Sequence, residues 1–338
     1  MATSPDAPII LFHYPFSPWA QKITAYLSFR GIPYTSCHQP VTQPRPDLTA
    51  LGVNYRRIPV MSIGRDMYCD TLLILEKLNE LYPANSDAPG ISATRPQDRA
   101  LEKLLEKWTD VVVFKYAAGA IPASLSFMSD KTFTDDRKEL WGREWTSEHQ
   151  DSLRPAALVV LRSNMHFLEH DLLTEGRDFI FEGENPSLAD IHAAWIFTWL
   201  AAMPDALPKD LFSAKEFPRT FAWFDRYTEA VSKAMKKMES DGKVRQLEGD
   251  AAVKEISEGP FGEKQLSIDK QDPTGLKEGE HVHGYPQDTG FTRRDEGQLV
   301  GLTTQEVVIS SKAQSGVEIR VHHPRWNFAV ERVPSGGA

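Results

Sequence analysis

A chain of 338 residues, 41% hydrophobic and 25% charged, is long enough for about two or three domains with a sizeable core. Its net charge of -9 argues against non-specific attraction to nucleic acid or an anionic membrane. No apolar run is long enough to span a bilayer, and the N-terminus lacks the pattern of a secretory signal. The two cysteines, Cys37 and Cys69, stand far apart, which fits a reducing, cytoplasmic setting and speaks against a disulfide scaffold or a cysteine-based zinc site.

In chain order, Ile9 to Phe12 reads as a strand. The stretch Tyr14-Pro15-Phe16-Ser17-Pro18-Trp19-Ala20-Gln21-Lys22 reads as a tight turn opening a helix from Pro18 to Arg30, closed by Gly31. Tyr34 to Cys37 reads as a second strand, followed by a loop with Pro40, Pro44 and Pro46. Pro59 to Ile63 and Met67 to Cys69 form a hairpin turning at Gly64-Arg65. Asp70 to Leu81 is a helix with Leu72, Leu73, Leu75, Leu78 and Leu81 on its apolar face. The order βαβ then ββα makes residues 1–84 a small α/β domain.

Pro83 to Gly90 is a linker, and residues 92–240 read as all-helical. The spacing predicts one helix from Arg95 to Val113 and others at Leu153 to Leu173 and Phe217 to Met238. A further apolar helix, Ile191 to Met203, starts behind the capping-box sequence Ser187-Leu188-Ala189-Asp190. Residues 241–275 are polar and read as an irregular connector. In residues 276–334, Val317, Ile319 and Val321 alternate with Glu318, Arg320 and His322, the signature of a half-buried strand. Short runs at 297–302, 305–310, 316–322 and 327–333 complete a small antiparallel β unit.

Three local features carry chemistry. Ser17 stands at a helix N-terminus, where free N–H groups and partial positive charge favour an anion, and where a serine equally serves as a cap. Ile58-Pro59 opens a strand, a position that tolerates proline and, in a turn, its cis form. Asp70-Thr71 sets a carboxylate and a hydroxyl at another helix start, either as a cap or as a holder of an amino-acid headgroup.

In this order, ahead of a helical second half, the motifs Ser17-Pro18-Trp19-Ala20-Gln21-Lys22, Ile58-Pro59-Val60, Asp70-Thr71 and Ser187-Leu188-Ala189-Asp190 resemble the glutathione transferase family over residues 9 to about 240. The turn looks most like the omega and zeta classes. The resemblance implies a thioredoxin-like domain, an all-α bundle and, for this chain, a small all-β C-terminal extension such as some fungal transferase-like proteins carry. It makes Ser17 the catalytic hydroxyl that stabilises the thiolate of bound glutathione. Ile58 and Pro59 would then meet the cysteinyl part, and Asp70 and Thr71 the γ-glutamyl part. Serine replaces the cysteine of the omega class, so a mixed disulfide at this position is excluded. Asp-Thr replaces the usual Glu-Ser with the same chemical groups.

Arg45 or Lys22 would meet a glutathione carboxylate, against the plainer reading of a solvated charge. Tyr14, Phe16, Trp108 and Tyr116, with Phe114, would line the pocket of a small-molecule electrophile, against the plainer reading of core aromatics. The family also implies a homodimer along the first domain's last helices. The expected reaction is thiolate attack on that electrophile, with glutathione-dependent cis-trans isomerisation as one alternative and a non-catalytic binding or regulatory protein as another. His281, His283, His322 and His323 have no accompanying cysteine, and no metal is expected.

Overall fold

A computed structural model describes residues 7–86, 89–174 and 176–334. Strand β1 (Ile9–His13) is buried along its whole length, as a central strand must be. Helix α1 (Pro18–Arg30) follows, with Pro18 in its first turn and Gly31 closing it at φ 62°. Strand β2 (Tyr34–His38) runs parallel to β1. The proline-rich loop contains a short helix α2 (Pro46–Ala50), which its alternating prolines hide at the sequence level. Strands β3 (Val60–Ile63) and β4 (Asp66–Cys69) form the expected hairpin, and α3 (Thr71–Leu81) completes the thioredoxin-like unit.

The second domain contains α4 (Pro96–Lys107), α5 (Phe114–Gly119), α6 (Lys131–Trp141), α7 (Ser147–Phe167), α8 (Leu188–Ala201) and α9 (Pro218–Ser240). The single helix expected from Arg95 to Val113 is interrupted. Trp108–Val113 form a widened π-helical turn, which rotates the following residues relative to α4. Helix α6 is missing from the sequence reading although its caps were available: Asp130 accepts from Thr132 N at 2.8 Å and Gly142 closes it at φ 64°. The expected linker is described except at residues 87 and 88. One core joins the domains, with Ile23, Leu27, Leu73 and Leu78 packed with Leu105, Ala194, Trp195 and Phe197. No helix among the described residues is long and apolar enough to cross a membrane.

The segment expected as an irregular connector holds strand β5 (Val244–Gln246) and helix α10 (Gly249–Glu258). Strand β5 pairs in parallel with β2, and α10 sets Ala252 and Ile256 in the core on the sheet's second face. Few large apolar residues mark this segment, because it covers existing surface instead of building its own core. Then come β6 (His281–Pro286), β7 (Asp295–Leu302), β8 (Glu306–Lys312), β9 (Glu318–Pro324) and β10 (Phe328–Arg332). They pair antiparallel among themselves, but they do not stand apart. Strand β9 joins β4 in parallel, giving one ten-stranded sheet ordered β10-β6-β7-β8-β9-β4-β3-β1-β2-β5. Alternation in a sequence shows which face of a strand is buried, not which strand lies beside it.

The seam is tight. Gly64, in the β3–β4 turn at φ 57°, lies where an added Cβ would come 2.1 Å from Pro260 O. Buried His322 bonds Asp66 through Nε2 at 2.9 Å and Glu306 through Nδ1 at 2.5 Å. Burial opposes its charging, but those two carboxylates outweigh burial and push His322 up to about 9. Lys77 of α3 lies 2.7 Å from Glu306 and 2.8 Å from Glu263. The extension thus packs against α3. His281 and His283 both face Glu296, away from this cluster.

Candidate active site

A cavity of about 600 Å³ opens where the first domain, the helical domain and the extension meet. Ser17 lies on its wall, 1% exposed, at the N-terminus of α1. Its Oγ accepts from Ala20 N at 3.3 Å, so it is the cap that the sequence implies. A hydroxyl that accepts still has a proton to donate. No acceptor for that proton is present among the described residues. The first turn of α1 carries no acid, so its field favours an anion.

The peptide Ile58-Pro59 is cis, and both residues line the same cavity. The Ile58 side chain is buried in the core of the sheet's second face. Asp70, at φ 73°, caps α3 through Leu72 N at 3.1 Å. Thr71 beside it is 2% exposed, and its Oγ1 has no hydrogen-bond partner among the described residues. Ser17, Ile58, Pro59, Asp70 and Thr71 therefore share one cavity although Ser17 and Thr71 lie 54 positions apart in the sequence.

Other expectations need correction. Arg45 reaches the cavity wall, but Nε donates to Pro40 O at 3.0 Å, Nη2 to Val41 O at 3.0 Å and Nη1 to Arg56 O. Three of its five N–H groups hold the loop over 40–56 together, so its main engagement is with that loop. Lys22 is buried against Asp110 at 2.8 Å. Trp108 donates to Asn164 at 2.8 Å and packs on Phe167 and Phe197, outside the cavity lining, and Tyr116 also lies outside that lining. Phe114 does line the cavity as expected, and the widened turn adds Asp110 and Val111 to the wall in place of Trp108. Tyr14 and Phe16 do line it, rings 4.9 Å apart, with Phe16 61% exposed.

A continuous aromatic wall leads away from the start of α1. Trp19 meets Phe114 at 4.9 Å, Phe114 meets Trp141 at 5.8 Å, and Trp141 meets Trp145 at 5.5 Å. Two polar features were not found from the sequence. Arg57 lies 3.5 Å from Asp70 and also bonds Asp288 and the Thr289 carbonyl. Its place just before Ile58-Pro59 was the only sequence signal. Asp110, on the wall, is pushed up to about 6 by burial, which the nearby Lys22 only partly offsets. The acid-x-x-x-acid spacing of Glu106 and Asp110 on a half-buried helix was available as a sign.

Residues 11–86 match the glutathione S-transferase N-terminal domain, and residues 116–236 match a domain of unknown function, DUF7962. The chain is 23% identical over 212 residues to glutathione S-transferase U8 of Arabidopsis thaliana, covering 62% of this chain and 80% of that one. A solved GST-like protein from Pseudomonas syringae is 26% identical with a TM-score of 0.68, covering 97% of this chain and 100% of that one. The β-etherase LigF from Sphingobium, 16% identical with a TM-score of 0.52 over 68% of this chain and 99% of its own, shares the fold.

Proposed function

We propose that this chain, whose residues 11–86 match the glutathione S-transferase N-terminal domain, binds glutathione in the cavity and uses Ser17 to hold its sulfur as the thiolate. The observation that carries the reading is the buried Ser17 hydroxyl, with an undonated proton, on the same cavity as Arg57, Asp70 and Thr71. A thiol of ordinary pKa, about 8.5, is only a few per cent ionised at neutral pH. One unit of lowering needs about 1.4 kcal/mol of preference for the thiolate, within reach of a charge-assisted hydrogen bond and a helix terminus. The sulfur then attacks an electrophilic carbon, a C–S bond forms, and the leaving group departs with its electron pair. The aromatic wall from Trp19 to Trp145 favours a flat, apolar electrophile. A reducing cytoplasm suits both the thiol and the two buried free cysteines.

The test is Ser17→Ala. Titrating the thiolate absorbance of bound glutathione is expected to give a pKa about one unit higher, with kcat/KM down by about tenfold or more. Glutathione affinity at low pH is expected to stay within about twofold, since the thiol form loses little. Unchanged turnover would remove Ser17 from the mechanism. No glutathione binding at millimolar concentration would favour a binding or regulatory protein that reuses the fold.

A further inference from the structure

We propose that the C-terminal extension is a working wall of this site, in which Asp288 shares the ligand's amino group with Asp70 and Trp326 covers the acceptor. The proposal rests on the glutathione reading above. Two loops of the extension reach the cavity: Asp288 and Thr289 between β6 and β7, and Trp326 and Asn327 between β9 and β10.

The charges at this end are matched to a zwitterion. Arg57 lies between Asp70, at 3.5 Å, and Asp288. One guanidinium between two carboxylates leaves a net negative charge, which suits an ammonium group. The unpartnered Thr71 hydroxyl and the N–H groups opening α3 suit a carboxylate beside it. An α-amino acid headgroup carries both groups on one carbon. The Asp288 side chain is 43% exposed, so its carboxylate retains open oxygen positions despite the Arg57 contact.

The loop that carries Asp288 is fixed in place. Gly290 N donates to Leu140 O at 2.6 Å, and Arg293 meets Glu139 of α6 at 2.9 Å. Glu139 also lies 3.3 Å from Arg56, which bonds Asp136 at 2.8 Å. Helix α6, the 54–57 loop and the extension thus set the Asp288 position together. On the other side, the Trp326 ring, 49% exposed, lies 4.5 Å from Lys107 Nζ at the end of α4. That contact joins the extension to the helical domain, and both side chains line the cavity.

The experiment uses the full chain, glutathione and its analogue lacking the α-amino group. Asp288→Asn keeps the shape of the side chain and removes its charge. Calorimetry is expected to show glutathione Kd rising by about fivefold to tenfold, while the analogue binds wild type and variant alike. Trp326→Ala is expected to raise KM for 1-chloro-2,4-dinitrobenzene by about fivefold or more with glutathione Kd unchanged. A purely structural role for Asp288 would weaken both ligands equally, and that result overturns the proposal, as does full-strength binding of glutathione by Asp288→Asn. Failure of wild type to bind glutathione would overturn the underlying reading and this one with it.

Discussion

A buried hydroxyl with nothing to bond costs free energy, and Thr71 Oγ1 is in that state. A ligand that bonds it would remove the cost. Thr71→Val keeps the side-chain shape and deletes the hydroxyl. It is therefore expected to hold or raise the melting temperature while weakening glutathione binding by about fivefold to twentyfold. A fall in both stability and affinity would make Thr71 a structural residue only. The adjacent pair Asp70-Thr71 was legible because both groups sit in one dipeptide at one helix start. Arg57 was not, since its partner Asp288 is 231 positions away and only the folded sheet brings them together. Arg45 misled in the other direction. A lone arginine in a proline-rich loop looks free, and only the loop's own carbonyls show that it is occupied.

Among the elements, the entry to α8 is held most firmly. Asp190 accepts from Ser187 N at 2.8 Å, Ser187 Oγ at 2.6 Å, Ile180 N at 2.9 Å and Trp223 Nε1 at 2.9 Å, fully buried. Asp190→Ala strands those donors together, and denaturant unfolding is expected to show a loss of about 3–5 kcal/mol. A loss within the range of an ordinary exposed cap, about 1 kcal/mol, would show that water replaces the carboxylate. This capping box was readable from Ser187 and Asp190 alone, because its essential bonds span three residues. The phase of the helix from Arg95 was not readable. Apolar spacing continues through Val112, so nothing in it announces the widened turn that keeps Trp108 off the cavity and sets Asp110 and Val111 on it.

At the scale of the molecule, the two-domain organisation was legible from order and composition, while the attachment of the extension was not. Alternating residues in β9 fit an independent barrel as well as they fit a continuation of β4. Beside the pairing of β4 with β9, the attachment carries a buried cluster of charges, and so it depends on pH. His322 is raised from 6.5 to about 9 in the folded state. Its contribution is complete below about pH 6.5 and is lost as pH rises through about 9, on the order of 3 kcal/mol in all. Glu306 has the opposite sign: His322 and Lys77 outweigh the effect of burial and hold it below its ordinary value, so acid removes its share. Thermal stability is expected to fall between pH 6.5 and 9, and His322→Gln to flatten that slope. A slope that survives the substitution would assign it to other groups, among them Glu106, which burial pushes up to about 8 despite Lys22.

The pairing of β4 with β9 has a consequence for how the protein is made. Strand β4 ends at Cys69, but its neighbour closes only at Pro324. At about 5–20 residues per second, a ribosome leaves roughly ten to fifty seconds between the two. Through that interval the nascent first domain has an unpaired strand edge, the kind of surface that aggregates or recruits a chaperone. Ribosome-bound chains stalled before Glu318 are expected to retain chaperone, and full-length chains released from the ribosome to shed it.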